Sequence, residues 1–236
     1  MSIPPQHNKP APALRQLSTP RAAAFAGVVF AVLFATVLIL IRTRMPEGAQ
    51  DSTDWVTSRR SSITIATVLM PFVGISFLWF IGVVRDGFGR YEDRFFSSVF
   101  FGSGLLFLAM MFVATAVAAG LVSLVTSSSG VTDPAAHAEL INFGKRIMLS
   151  ATKTYALRMA AVFMISLATI WLKTGLMPRW LAGLSYLLGV ALLIAGDTSM
   201  WVALAFPAWV LVVSGLALAR SGLVEQLRTL HPDRVR

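Results

Sequence analysis

One charged side chain stands inside an otherwise apolar run of this chain: Arg158, with Tyr155 three residues before it. A guanidinium among apolar neighbours recognises phosphate or carboxylate through its planar fork of donors, and a phenol one helical turn away adds another hydrogen bond. That pairing would make an anion or lipid-headgroup anchor. Arg158 also lies about one turn inside its run, so its aliphatic stem can carry the charge to the water boundary, which is the simpler reading. Pro71 and Trp209 join it as candidate ligand or lipid contacts. Pro71 and Pro207 interrupt apolar runs, and broken helices outline binding cavities in membrane carriers. A plain structural kink explains such prolines more simply.

The densest polar cluster is Arg85, Asp86, Arg90, Glu92, Asp93 and Arg94, with Gly87 and Gly89 between them. It offers either a contact surface for a protein partner or lipid headgroups, or a short salt-bridged turn whose arginines set topology. Pairs of the second kind contribute little stability when exposed.

Other chemistry is thinly supplied. No Asp or Glu stands in the middle of an apolar run, so the carboxylate relays of proton-coupled pumps have no counterpart. His7, His137 and His231 fall in a tail, a connection and a tail, positions from which they do not face each other as axial haem ligands. The chain has no cysteine, which removes disulfides, thiolate metal sites and cysteine nucleophiles together. It has no Gly-x-Ser-x-Gly, no paired-histidine protease motif and no phosphate-binding loop ending in Gly-Lys-Ser/Thr. No catalytic, metal or cofactor-binding residue is assigned. An enzyme built on this chain would have to draw on Asp86, Glu92, Asp93 or His137.

The elements that would position these residues are apolar helices. Of 236 residues 56% are hydrophobic and 13% charged, with a mean hydropathy of +0.72. A soluble domain carries roughly a quarter charged residues. The apolar residues fall in six runs, 22–41, 62–84, 95–125, 155–172, 181–196 and 200–219, which predict an all-α integral membrane protein with six transmembrane helices. The third run exceeds what a bilayer needs and must tilt or protrude. Pro-rich residues 1–20 read as a disordered cytoplasmic tail, 21–220 as the transmembrane domain, and 221–236 as a basic cytoplasmic tail. Before the fourth run, Asp133-Pro134 marks a helix start. There Leu140, Ile141, Ile147 and Met148 oppose Glu139, Asn142, Lys145 and Arg146, the pattern of a short interfacial amphipathic helix.

Lysines and arginines give the orientation. Twelve fall on the side of the N-tail, second and fourth loops and C-tail, and eight on the other. That places both termini in the cytoplasm, against the dissent of Arg42, Arg44, Arg59 and Arg60. The net charge of +9 then faces anionic lipid. Nucleic acid is not an expected partner, because no basic stripe is interleaved with stacking aromatics.

Small residues recur four apart: Gly27, Ala31 and Ala35; Ala114 and Ala118; Ala116 and Gly120; Ser185 and Gly189; Ala191 and Ala195. Such spacing lets helix backbones approach closely in lipid. The expected function is therefore a non-catalytic membrane protein acting through helix packing, as an accessory or assembly subunit with a protein partner or as a homo-oligomer. The alternative is a transporter or carrier for an apolar or lipid-like substrate, whose site needs few charges.

The segment Leu78-Trp79-Phe80-Ile81-Gly82-Val83-Val84-Arg85-Asp86, followed by Glu92-Asp93-Arg94-Phe95, resembles uncharacterised multi-spanning membrane proteins of actinobacteria over the second and third runs. The resemblance implies a bacterial plasma membrane and no particular activity.

Overall fold

The computed structural model describes residues 19–42, 60–86, 94–126, 134–196 and 200–230, and these are almost entirely helical, with no strand among them. In chain order the helices are α1 (Thr19–Arg42), α2 (Arg60–Asp86), α3 (Arg94–Thr126), α4 (Pro134–Leu149), a π-helical segment (Ser150–Ala156), α5 (Leu157–Thr174), α6 (Arg179–Ala195), a 3-10 turn (Met200–Leu204) and α7 (Ala205–Leu230). Five helical stretches are long and apolar enough to cross a membrane: Ala24–Ile41, Arg60–Asp86, Arg94–Thr126, Ala135–Thr174 and Val202–Ala219. The sixth, α6, has 17 residues, about 26 Å at the helical rise.

Each run folds as a helix because a helix pairs its backbone groups within itself, which an apolar surrounding requires. Many Ser and Thr side chains within these helices turn inward on the same ladder. Thr36, Thr67, Ser76, Thr115, Thr152 and Ser185 each donate to the carbonyl four residues back, at 2.7–2.9 Å. Their polarity is thus absorbed locally. Gly175 ends α5 in the left-handed region at φ 66°, donating its N–H to Trp171 O at 2.9 Å, a conformation that an L side chain resists.

The centre of the bundle is a knot of rings. Phe30 and Phe34 of α1, Phe77 and Phe80 of α2, Phe100 and Phe107 of α3, Phe163 of α5, and Phe206 and Trp209 of α7 are all essentially buried. Phe77 sits at its middle. Its ring centroid is 4.5 Å from that of Phe30, 5.4 Å from those of Phe107 and Phe163, and 5.9 Å from that of Phe206. Edge-to-face and offset pairs of this kind add about 0.5–1.5 kcal/mol each beyond the area they bury. One cluster therefore ties five helices together.

The outside reverses the rule for water-soluble proteins. Phe25, Phe72, Trp79, Phe95, Leu187 and Ile194 stand more than half exposed, with Val32, Ile75 and Leu106 among others. An apolar exterior of this extent, spread over the helices, suits a lipid surrounding and would aggregate in water.

Close approaches occur at small residues. A Cβ on Gly104 would meet Ile81 Cδ1 at 2.7 Å and Phe163 at 3.1 Å; one on Gly189 would meet Ile165 at 2.8 Å. The structure also chooses among the small pairs seen in the sequence. Ala114 and Ala118 are buried, whereas Ala116, Gly120 and Ala191 face outward.

Two elements differ in extent from the sequence expectation. The amphipathic helix before the fourth run, α4, leads without a break through the π-helical segment into α5, as one stretch of 40 residues, Ala135–Thr174. Along α4 this stretch packs on α3, with Ile141 and Leu121 in one small cluster and Ala114, Ala118, Met148, Ala151 and Ile63 in another. Pro207 is the third residue of α7, after the 3-10 turn, where its missing N–H is one of those a helix start leaves unpaired anyway. And α7 runs to Leu230, past the boundary expected at 220. Asp133 and Asp197 lie outside the described residues.

Candidate functional site

Arg158 lies in the first turn of α5, just after the π-helical segment, and is half-buried. Its Nη1 donates to Thr154 O at 2.9 Å. Helical side chains lean toward the N-terminus, so Arg158 reaches back toward the π-helical segment and away from the middle of α5. That direction fits a stem carrying its charge toward the end of the helix. Tyr155, one turn earlier, is 57% exposed, so the two side chains do not share a closed site.

Trp209 is 2% exposed in the ring knot, its centroid 6.0 Å from that of Trp171 and 6.2 Å from that of Phe206. Trp171 is thirteen positions beyond Arg158 on α5, about 20 Å along the axis. Pro71 is exposed on the outer face of α2, beside Phe72 at 56%. The helix continues through it. Arg158, Trp209 and Pro71 thus occupy three different surroundings and line no common space.

Of the second candidate cluster, Arg90, Glu92 and Asp93 lie outside the described residues. Arg85 and Asp86 end α2, Arg94 starts α3, and all three are exposed. The Arg85 guanidinium sits 5.5 Å from the centre of the Phe101 ring. From α5, Lys173 places its Nζ 4.5 Å from the centre of the Phe96 ring. Both rings belong to the first turns of α3. His137, half-buried on α4, is at the other end of α3, where Leu121 meets Ile141. Asp86 and His137 are therefore separated by something on the order of 40 Å of helix. No group of three or more His, Cys, Asp or Glu side chains close enough to hold a metal occurs among the described residues.

The structure adds polar contacts that the sequence reading missed. Trp209 Nε1 donates to Ser185 Oγ at 2.8 Å, and Ser185 Oγ donates on to Leu181 O at 2.7 Å. The Thr169 and Tyr186 hydroxyls meet at 2.6 Å. Both contacts tie α6, the shortest spanning candidate, to its neighbours α7 and α5. A tryptophan in the middle of an apolar run was the one available signal, since a buried indole N–H needs an acceptor.

Ser214 of α7 has a buried Oγ with no hydrogen-bond partner. A Cβ at Gly27 would sit 2.0 Å from that oxygen. With a carbon–carbon bond of about 1.5 Å, the Gly27 Cα then lies within about 3.5 Å of it, the range of a weak Cα–H···O contact. The orphaned hydroxyl is thereby matched to the one residue type that lets α1 come so near.

A cleft of about 10 Å³, roughly the space of one water, lies beside the π-helical segment between Leu38, Ile41, Met111, Ala114, Thr115, Met148, Leu149 and Thr152. Its Thr115 and Thr152 hydroxyls donate to the Met111 and Met148 carbonyls, which leaves them lone pairs to accept with. The chain matches no family model, no curated protein and no solved structure.

Proposed function

We propose that this chain is a six-span plasma-membrane protein of a bacterium, with both termini cytoplasmic, that works through helix packing as an accessory or assembly subunit. Its partners are membrane lipids and either another membrane protein or further copies of itself. The observation that carries this is the filled centre of the bundle. Rings from five helices interlock where a carrier would keep its substrate path, and α1, α2, α3 and α6 carry no Asp, Glu, Lys or Arg between their end turns. What the molecule offers to others is then its apolar exterior, where Ala116 and Gly120 of α3 and Ala191 of α6 leave room for a neighbouring helix backbone. α6 crosses as the fifth span, since 17 residues is the short end of the usual range. The part of the 134–174 helix before Ser150 stands at and beyond the interface.

The second reading is a carrier for an apolar or lipid-like substrate. Its place would be the cleft beside the π-helical segment, because π-helical turns recur at functional sites; with room for about one water, the cleft would have to open before such a substrate entered. The two readings separate by cross-linking. The chain has no cysteine, so single cysteines at Ala116, Gly120 and, as a control on another face, Ile75 report proximity cleanly. The assembly reading expects one defined cross-linked product from the α3 positions in native membranes and none from Ile75. Equal and negligible cross-linking at all three would remove it.

A further inference from the structure

We infer that the end of the bundle around the start of α3 is a binding surface for anionic phospholipid headgroups. This goes beyond the packing role proposed above and does not depend on it.

Four helix ends meet there: the last turn of α2, the first turns of α3, the last turn of α5 and the first turn of α6. Each brings a cation, respectively Arg85, Arg94, Lys173 and Arg179, and all four are exposed. Two of them are gathered by tertiary contacts. Arg85 packs over Phe101 at 5.5 Å and Lys173 over Phe96 at 4.5 Å, so cations from two different helices are drawn against one stretch of α3. Phe96 and Phe101 are five residues apart, about 7.5 Å of rise and on different sides of the helix.

The same end carries an aromatic layer. Trp79 is 69% exposed, Phe95 67% and Trp180 57%. Large rings left open beside a ring of cations match the level at which acyl chains give way to headgroups. The first turn of α3 holds no acidic residue, and its N–H groups add their positive end to the same place. Among the described side chains at this end Asp86 is an acid beside the four cations, and the sequence sets Glu92 and Asp93 directly before Arg94. Exposed rings for the chains and clustered cations for the phosphate suit an anionic phospholipid.

The test uses the full chain in nanodiscs of phosphatidylcholine with an equal part of phosphatidylglycerol, followed by native mass spectrometry of the lipids that stay bound. Each cation near a headgroup strengthens its binding by about fivefold. The unaltered chain should retain phosphatidylglycerol in clear preference. Arg85→Gln with Lys173→Gln should cut that preference by more than tenfold, and Lys145→Gln with Arg146→Gln, on α4 at the other end, should leave it within twofold. Because Arg85 and Lys173 also pack on rings, Arg94→Gln with Arg179→Gln provides a second pair with the same expectation and both ring contacts intact. The inference is overturned if the unaltered chain shows no preference, if the α4 pair reduces it as much as the α3-end pairs, or if both α3-end pairs leave it unchanged.

Discussion

Replacing Phe77 by alanine tests the ring knot where it is most connected. The Phe77 ring is fully buried and touches five other rings, Phe30, Phe80, Phe107, Phe163 and Phe206. In a water-soluble core the change costs about 3–5 kcal/mol, part of it the lost transfer of the ring out of water. A helix leaving this bundle within a bilayer would put its ring into lipid, which is as apolar as the interior, so the transfer part drops out. The cavity part remains. A ring leaves about 100 Å³, and at about 24 cal/mol per Å³ that is about 2.4 kcal/mol if the neighbours do not close in. The comparison is Phe72→Ala on the same helix, where the ring is 56% exposed and the expected cost is below about 0.5 kcal/mol. Reversible unfolding in mixed micelles, titrated with a denaturing detergent, measures both on one scale. Phe77→Ala should be the weaker by about 2 kcal/mol. Equal losses would mean that the inside and outside of α2 are not as described, and a negligible loss at Phe77 would mean that the rings do not hold the helices.

Six further substitutions bear on the contacts between helices. Gly104→Leu should destabilise by about 1–3 kcal/mol because its Cβ already meets Ile81 and Phe163. Gly102→Leu, two residues away with nothing within 4 Å of its Cβ, should keep the wild-type melting temperature in the same detergent. Gly27→Ala should separate α1 from α7, and adding Ser214→Ala should recover part of the loss; a double-mutant cycle with no coupling would refute the close approach. Trp209→Phe and Ser185→Ala should each cost about 0.6–1.7 kcal/mol, the range for hydrogen bonds between membrane helices. The two together should cost less than their sum by thermal unfolding.

The spans were legible because apolar residues come in blocks, and a block of twenty leaves the chain little choice but a helix. α2 and α3 begin and end within about two residues of the runs expected from hydropathy. The 134–174 helix was not legible as one piece. Lys145, Arg146 and Lys153 interrupt its hydropathy, and a π-helical segment changes hydrogen-bond register without changing composition. The unbroken helical backbone through Ser150–Ala156 shows that the stretch continues. Pro207 misled for a related reason: its place within a run was visible, whereas the 3-10 turn that makes it a helix-start residue was not. The candidate ligand set fared differently from the helices. Arg158, Trp209 and Pro71 looked alike as exceptions within apolar runs. Yet exposure and reach depend on which way each side chain faces, and that is fixed by neighbours distant in sequence. The ring knot was hidden for the same reason, since phenylalanine occurs in five of the six runs and only five helices together show which rings meet.

Native mass spectrometry of the chain extracted with its own lipids tests the packing role most directly. A defined homo-oligomer, or a reproducible partner subunit, is the predicted result, and its loss in a Gly120→Leu or Ala116→Leu variant would locate the contact on α3. A monomer that keeps one stoichiometric small molecule, with no partner under any mild extraction, would contradict the account and move the function to the cleft beside the π-helical segment.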